Sequence, residues 1–140
     1  MDDRLRRELT VEARIENIEK VTDFVNEALE ELDCPPKAQM QLDIAIDELF
    51  SNIAKFAYGS DTGSATVRVE EADDPRAVIL TFIDRGTPYD PLTNKDPDIT
   101  LSAEEREIGG LGILVVKRTM DDMSYEYRDG KNVLRIRKNL

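Results

Sequence analysis

Two long stretches of helical periodicity, set back to back near the start of the chain, constrain the fold more than any other feature. From Ile18 the apolar residues Ile18, Val21, Phe24, Val25, Ala28, Leu29 and Leu32 recur at three- and four-residue steps. That spacing lines them along one face of a helix. Asp33 to Pro36 breaks the pattern, and a second helix begins near Pro36 or Lys37, since proline is tolerated in a first helical turn. It runs to about Tyr58 with Leu42, Ile46, Leu49, Ile53 and Ala57 on its apolar face. Helices apolar on one side need a surface to cover.

Strands supply that surface. Residues 5–13 alternate in part and read as an opening strand; Ser64 to Glu70 alternates cleanly and Ala77 to Ile83 is a denser apolar run. Asp73-Asp74-Pro75-Arg76 between the last two supplies turn chemistry for an antiparallel hairpin. Residues 84–108 hold Pro88, Pro91 and Pro97 with little periodicity, after which Leu111 to Met120 returns to helical spacing. Met123 to Tyr127 and Val133 to Arg137 flank Asp129-Gly130, a strong hairpin signal. The order β, α, α, β, β, long loop, α, β, β predicts an α+β two-layer sandwich, with a mixed, mostly antiparallel sheet and helices on one face. A chain of 140 residues without a repeat or a Pro/Gly/Ser-rich divider is read as one domain, residues 1–140.

Composition removes whole classes of function. Thirty acidic residues against nineteen basic ones give a net charge of −11, which repels phosphate backbones and anionic lipid, so neither nucleic acid nor membrane is an expected partner. The chain has one cysteine, Cys34, and no histidine. The usual zinc-ligand sets, an internal disulfide and every Ser-His or Cys-His nucleophile pair are therefore out of reach. Acid/base work falls to carboxylates, lysines or tyrosines. The start Met-Asp-Asp-Arg lacks a signal peptide's basic and apolar regions, and no run nears a membrane span; the expected location is the cytoplasm.

Three segments carry candidate chemistry. In the second helix Glu48, Asn52 and Lys55 lie four and three apart and share a side. A carboxylate and a carboxamide so placed can hold a hydroxyl proton and a magnesium ion, and Lys55 can add charge toward a phosphate; the same residues also suit a solvated helix face. Asp84-Arg85-Gly86-Thr87-Pro88 directly follows the most apolar strand. A carboxylate at the lip of an apolar slot suits the exocyclic amine of adenine, and glycine lets backbone approach a flat ligand. A plain turn would use the same residues. Gly109-Gly110-Leu111-Gly112 precedes an apolar helix, so free backbone N–H groups and the helix dipole offer a phosphate site, or simply a helix entry.

Taken together, Glu48-x-x-x-Asn52, Asp84-x-Gly86-x-Pro88 and Gly109-Gly110-Leu111-Gly112 resemble the asparagine box and the two glycine boxes of the GHKL superfamily of ATP-binding proteins. Within it the chain is most similar to the stand-alone anti-sigma factor serine/threonine kinases. The similarity includes Ala57-Tyr58 at the helix end and the closing segment Gly130 to Lys138. Phe56 stands where many of those kinases have histidine. Glu48 stands where histidine kinases usually have asparagine, and a serine or threonine hydroxyl needs a base in a way that an imidazole does not.

The resemblance implies Glu48 as general base, Asn52 as magnesium ligand, Asp84 as adenine reader, Gly110 and Gly112 in the phosphate loop, and residues 90–108 as an ATP lid. It further implies ATP and Mg²⁺ as cofactors and an anti-anti-sigma protein as substrate. A sigma factor as second partner and a homodimer are implied as well. An ATP-dependent binding switch without catalysis is the alternative expectation.

Overall fold

The computed structural model describes residues 4–59, 61–93 and 110–140. Its elements follow the expected order: β1 (Arg6–Glu12), α1 (Ile18–Glu31), α2 (Pro36–Phe56), β2 (Ser64–Ala72), β3 (Ala77–Asp84), α3 (Gly110–Thr119), β4 (Asp122–Arg128) and β5 (Lys131–Asn139). Short 3₁₀ turns occupy Ile15–Asn17 and Pro91–Thr93. Pro36 takes the first position of α2, where its missing N–H costs nothing, and the Gln39 amide donates to the Pro35 carbonyl at 3.0 Å.

The five strands form one sheet in the order β1-β2-β3-β5-β4. Among the described residues every strand pairing is antiparallel, where the sequence predicts a mixed, mostly antiparallel sheet. The reason is the last hairpin. α3 returns the chain so that β4 runs in the direction of β3, but β5 lies between them and opposes both.

Alternation sets which face of the sheet is covered. Val67 and Val69 of β2, Val78, Leu80 and Phe82 of β3, and Leu134 and Ile136 of β5 are buried in the core that the helices complete. From α1 come Val21, Val25, Ala28 and Leu29, from α2 Leu42, Ile46 and Leu49 as the periodicity predicts, and from α3 Ile113 and Val116. Phe50, outside the predicted face of α2, is fully buried and among the largest core residues. Each fully buried Val, Leu, Ile or Phe side chain contributes about 1.5–3 kcal/mol. The inner row of β3 does not end on an apolar residue. After Val78, Leu80 and Phe82 it reaches Asp84, directly opposite Asn132 of β5. The sandwich therefore has a polar end.

Candidate functional site

At that polar end a cleft of about 450 Å³, open solvent included, lies between the C-terminal half of α2 and the ends of β3, β4 and β5. Its floor is apolar, formed by Leu49 and Ile53 of α2 with Phe82 and Leu134 of the sheet. Two aromatic residues stand at its mouth, Phe56 at 60% exposure and Tyr89 at 43%. An apolar slot with aromatic edges and few polar groups suits a flat, partly polar ring.

The polar groups converge on Asp84, which lines the cleft and is only 6% exposed. Its Oδ1 accepts from the Gly86 amide at 2.9 Å and from Nδ2 of Asn132 at 2.9 Å. Its Oδ2 carries no hydrogen bond among the described residues. One oxygen thus anchors the carboxylate and the other is left for a donor in the slot.

Asn132, also 6% exposed, is the hub of this arrangement. Besides Asp84, its Nδ2 reaches the carbonyls of Thr87 at 3.0 Å and Gly86 at 3.4 Å. Its Oδ1 accepts from the Tyr89 amide at 3.1 Å and from the Tyr125 hydroxyl. Those two donors fix which end of the carboxamide faces Asp84. Burial pushes the Tyr125 phenol up. Sequence reasoning did not single out Asn132 or Tyr125 as site residues. The one available signal was Asn132, a polar residue leading the inward row of β5 ahead of Leu134 and Ile136.

Gly86 serves a different contact from the expected one. A Cβ there would stand 2.1 Å from the Ala57 carbonyl oxygen and 2.5 Å from its carbon, and the Thr87 amide donates to that same oxygen at 2.7 Å. The backbone that a side chain on Gly86 would meet is the end of α2. Pro88 is exposed and outside the cleft lining, although Thr87 and Tyr89 on either side belong to it.

Asn52 lines the cleft, with its amide uncommitted among the described residues. Glu48 lies one turn earlier on the same helix, turned toward α3: a Cβ on Gly112 would meet its Cδ at 2.1 Å, Oε2 at 2.1 Å and Oε1 at 2.5 Å. The absence of a side chain at Gly112 makes the room in which this carboxyl sits. Burial, and next the charge of Asp47, raise the Glu48 carboxyl above its ordinary range, with Lys55 acting against them. Lys55 is exposed and does not line the cleft; its charge reaches Glu48 instead.

α3 begins inside the glycine run rather than after it, so Gly110, Leu111 and Gly112 form its first turn. The N–H groups of that turn lack intrahelical acceptors and favour an anion. Gly109 and residues 94–108 of the expected lid lie outside the described residues. Among the described residues no group of three or more His, Cys, Asp or Glu could hold a metal ion. The donor set still fits magnesium, which binds through one or two side-chain oxygens when phosphates supply others.

A five-stranded antiparallel sheet with three helices on one face, carrying a slot that ends in a buried aspartate, defines a GHKL-type domain. The chain belongs to the family of the histidine kinase-like ATPase domain, whose model matches residues 11–138. It is 34% identical over 98 residues to the serine-protein kinase RsbW of Listeria monocytogenes, covering 66% of this chain and 61% of the relative. To the serine/threonine-protein kinase BtrW of Bordetella bronchiseptica it is 29% identical over 98 residues, covering 70% of this chain and 68% of the relative. The match thus spans a little over three fifths of the RsbW relatives' length. A solved structure of RsbU and RsbW domains from Mycobacterium tuberculosis superposes with a TM-score of 0.69 at 18% identity, covering 97% of this chain and 32% of that one, and shares its fold. Among the described residues no helix is long and apolar enough to cross a membrane.

Proposed function

We propose that the chain binds Mg-ATP and transfers the γ-phosphoryl group to a serine or threonine hydroxyl of a partner protein. Adenine enters the apolar slot and donates its exocyclic amine to Oδ2 of Asp84; the phosphates lie toward the first turn of α3. Asn52, with phosphate oxygens, would hold a magnesium ion, which when bound offsets charge on the phosphates. Glu48 accepts the proton of the attacking hydroxyl. A new O–P bond forms to the acceptor as the bond to the bridging oxygen breaks, and ADP leaves.

The observation that carries this reading is the placement of the Glu48 carboxyl. It sits four residues before Asn52, against Gly112, with its affinity for a proton raised. A base needs that affinity, and a solvated surface carboxylate lacks it. The relatives named serine-protein kinases support a hydroxyl acceptor, and the absence of histidine from the chain removes autophosphorylation on an imidazole.

The resemblance to anti-sigma factor kinases names the acceptor as an anti-anti-sigma protein. A sigma factor would be held in its stead when that antagonist is phosphorylated, by a cytoplasmic homodimer. The test mixes purified protein, labelled ATP and candidate antagonist. Transfer by the wild type and its loss in Glu48→Gln is the expected result; no transfer by the wild type, or undiminished transfer by the variant, overturns the reading.

A further inference from the structure

Between the end of α2 and the turn after β3 stands a residue that touches neither the slot nor the base. Tyr58 follows α2 by two residues, and both hydrogen-bonding capacities of its hydroxyl are used. It donates to the Ser64 carbonyl at 2.6 Å, where β2 begins, and accepts from the Arg85 amide at 2.9 Å, just after β3. The ring fills the place of a side chain at Gly63, where a Cβ would come within 2.3 Å of its Cε1 and Cζ. Tyr58 is therefore wedged where the ends of three elements meet.

The residue before it grips the same turn. The Ala57 carbonyl accepts from the Thr87 amide at 2.7 Å and leaves no room for a side chain at Gly86. Arg85, Gly86 and Thr87 are thus held by two consecutive residues of α2's end on one side and by Asn132 on the other. Asp84 is the residue immediately before this clamped segment, and its Oδ1 takes the Gly86 amide proton. The direction of its free oxygen depends on where the turn lies.

We propose that Tyr58 is a positioning residue for base recognition: its hydroxyl fixes the 85–87 turn against α2 and so aims the Asp84 carboxylate into the slot. This rests on the nucleotide-binding reading above. It also ties the helix carrying Glu48 and Asn52 to the turn that reads the base. A carboxylate displaced by loosening that turn loses its bond to the exocyclic amine of adenine, whereas a 6-oxo purine, which offers no such donor, has nothing to lose.

The test compares full-length wild type and Tyr58→Phe, which keeps the ring over Gly63 and removes only the oxygen. Binding of Mg-ATP and Mg-ITP is titrated by calorimetry, and a thermal melt accompanies each variant. Tyr58→Phe is expected to weaken ATP roughly three- to tenfold, the range one hydrogen bond supports, with ITP changed by less than about twofold on the same scale. The ATP-to-ITP preference then falls. An unchanged preference overturns the proposal, whether both nucleotides weaken together with a lower melting temperature or neither weakens. Absence of ATP binding by the wild type overturns the nucleotide reading and this proposal with it.

Discussion

The carboxyl group of Glu48 occupies the space where a side chain on Gly112 would begin, with Cδ 2.1 Å from that ideal Cβ position. A glycine in α3 thus shapes the surroundings of an acidic residue in α2, more than sixty positions away in the chain.

Gly112→Ala is expected to leave the fold intact and to impair phosphoryl transfer. The atoms in the way are the far end of a flexible side chain, so Glu48 swings aside at small cost in stability. A displaced base is costly to catalysis: misplacement by about 1 Å can lower a rate about 100-fold. Single-turnover transfer beside a thermal melt checks this; equal rates for variant and wild type refute it.

Gly86→Ala meets backbone instead, the carbonyl of Ala57 at 2.1 Å, and nothing there can rotate away. The expected outcome is a loss of about 1–3 kcal/mol of stability, as for overpacked sites, together with weaker ATP binding. Urea titration gives the first quantity and calorimetry the second.

Asn132 predicts an order among variants. Asn132→Ala removes the donor to Asp84 and Thr87 and the acceptor shared by the Tyr89 amide and the Tyr125 hydroxyl, at a cost of about 1–3 kcal/mol for buried polar groups deprived of a partner. Asn132→Asp is expected to be worse at neutral pH, since its carboxylate would face the acceptor oxygens of Asp84, Gly86 and Thr87. Thermal melts rank the three proteins; an Asp variant as stable as the Ala variant contradicts this account.

The raised Glu48 carboxyl makes two linked claims about pH. Transfer needs the ionised form, so the rate should rise with pH through a value above the ordinary glutamate range of about 4.3. Asp47→Asn removes the repulsion that ranks second among the causes, and should shift the acid limb of the rate profile to lower pH. Stability runs the other way. With its folded pKa above the unfolded one, the native state binds more protons between the two values, so stability falls as pH rises through that window. Glu48→Gln abolishes this fall, and its advantage over wild type should appear above the window and vanish below it. A variant with the same pH–stability curve as wild type would contradict the burial argument.

Much of the fold is legible in the chain because periodicity is local. The three- and four-residue steps from Ile18 to Leu32, the alternation of Ser64 to Glu70 and the Asp129-Gly130 turn each encode an element that neighbouring residues enforce. Glu48, Asn52 and Asp84 could be singled out too, because their types stand out at fixed offsets from those elements, and the structure places Asn52 and Asp84 in the cleft and Glu48 against Gly112. For Gly86 the sequence suggested an approach to a ligand but not the neighbour that excludes a side chain there, Ala57, which is twenty-nine positions earlier. Lys55 and Pro88 share their segments' sequence pattern but not the cleft, since rotation about the helix axis and the course of the turn put them in solvent.

The sequence by itself determined the order of elements, the apolar faces of the helices and the polar residue types from which the proposed site is drawn, all consequences of spacing along a few turns or strands. Only the tertiary structure decided that Asn132 anchors Asp84, that Tyr58 braces the turn beside it and that Gly112 makes room for Glu48. Those relationships depend on strand register and helix packing. Both are set by long-range burial of the core, which no local pattern specifies.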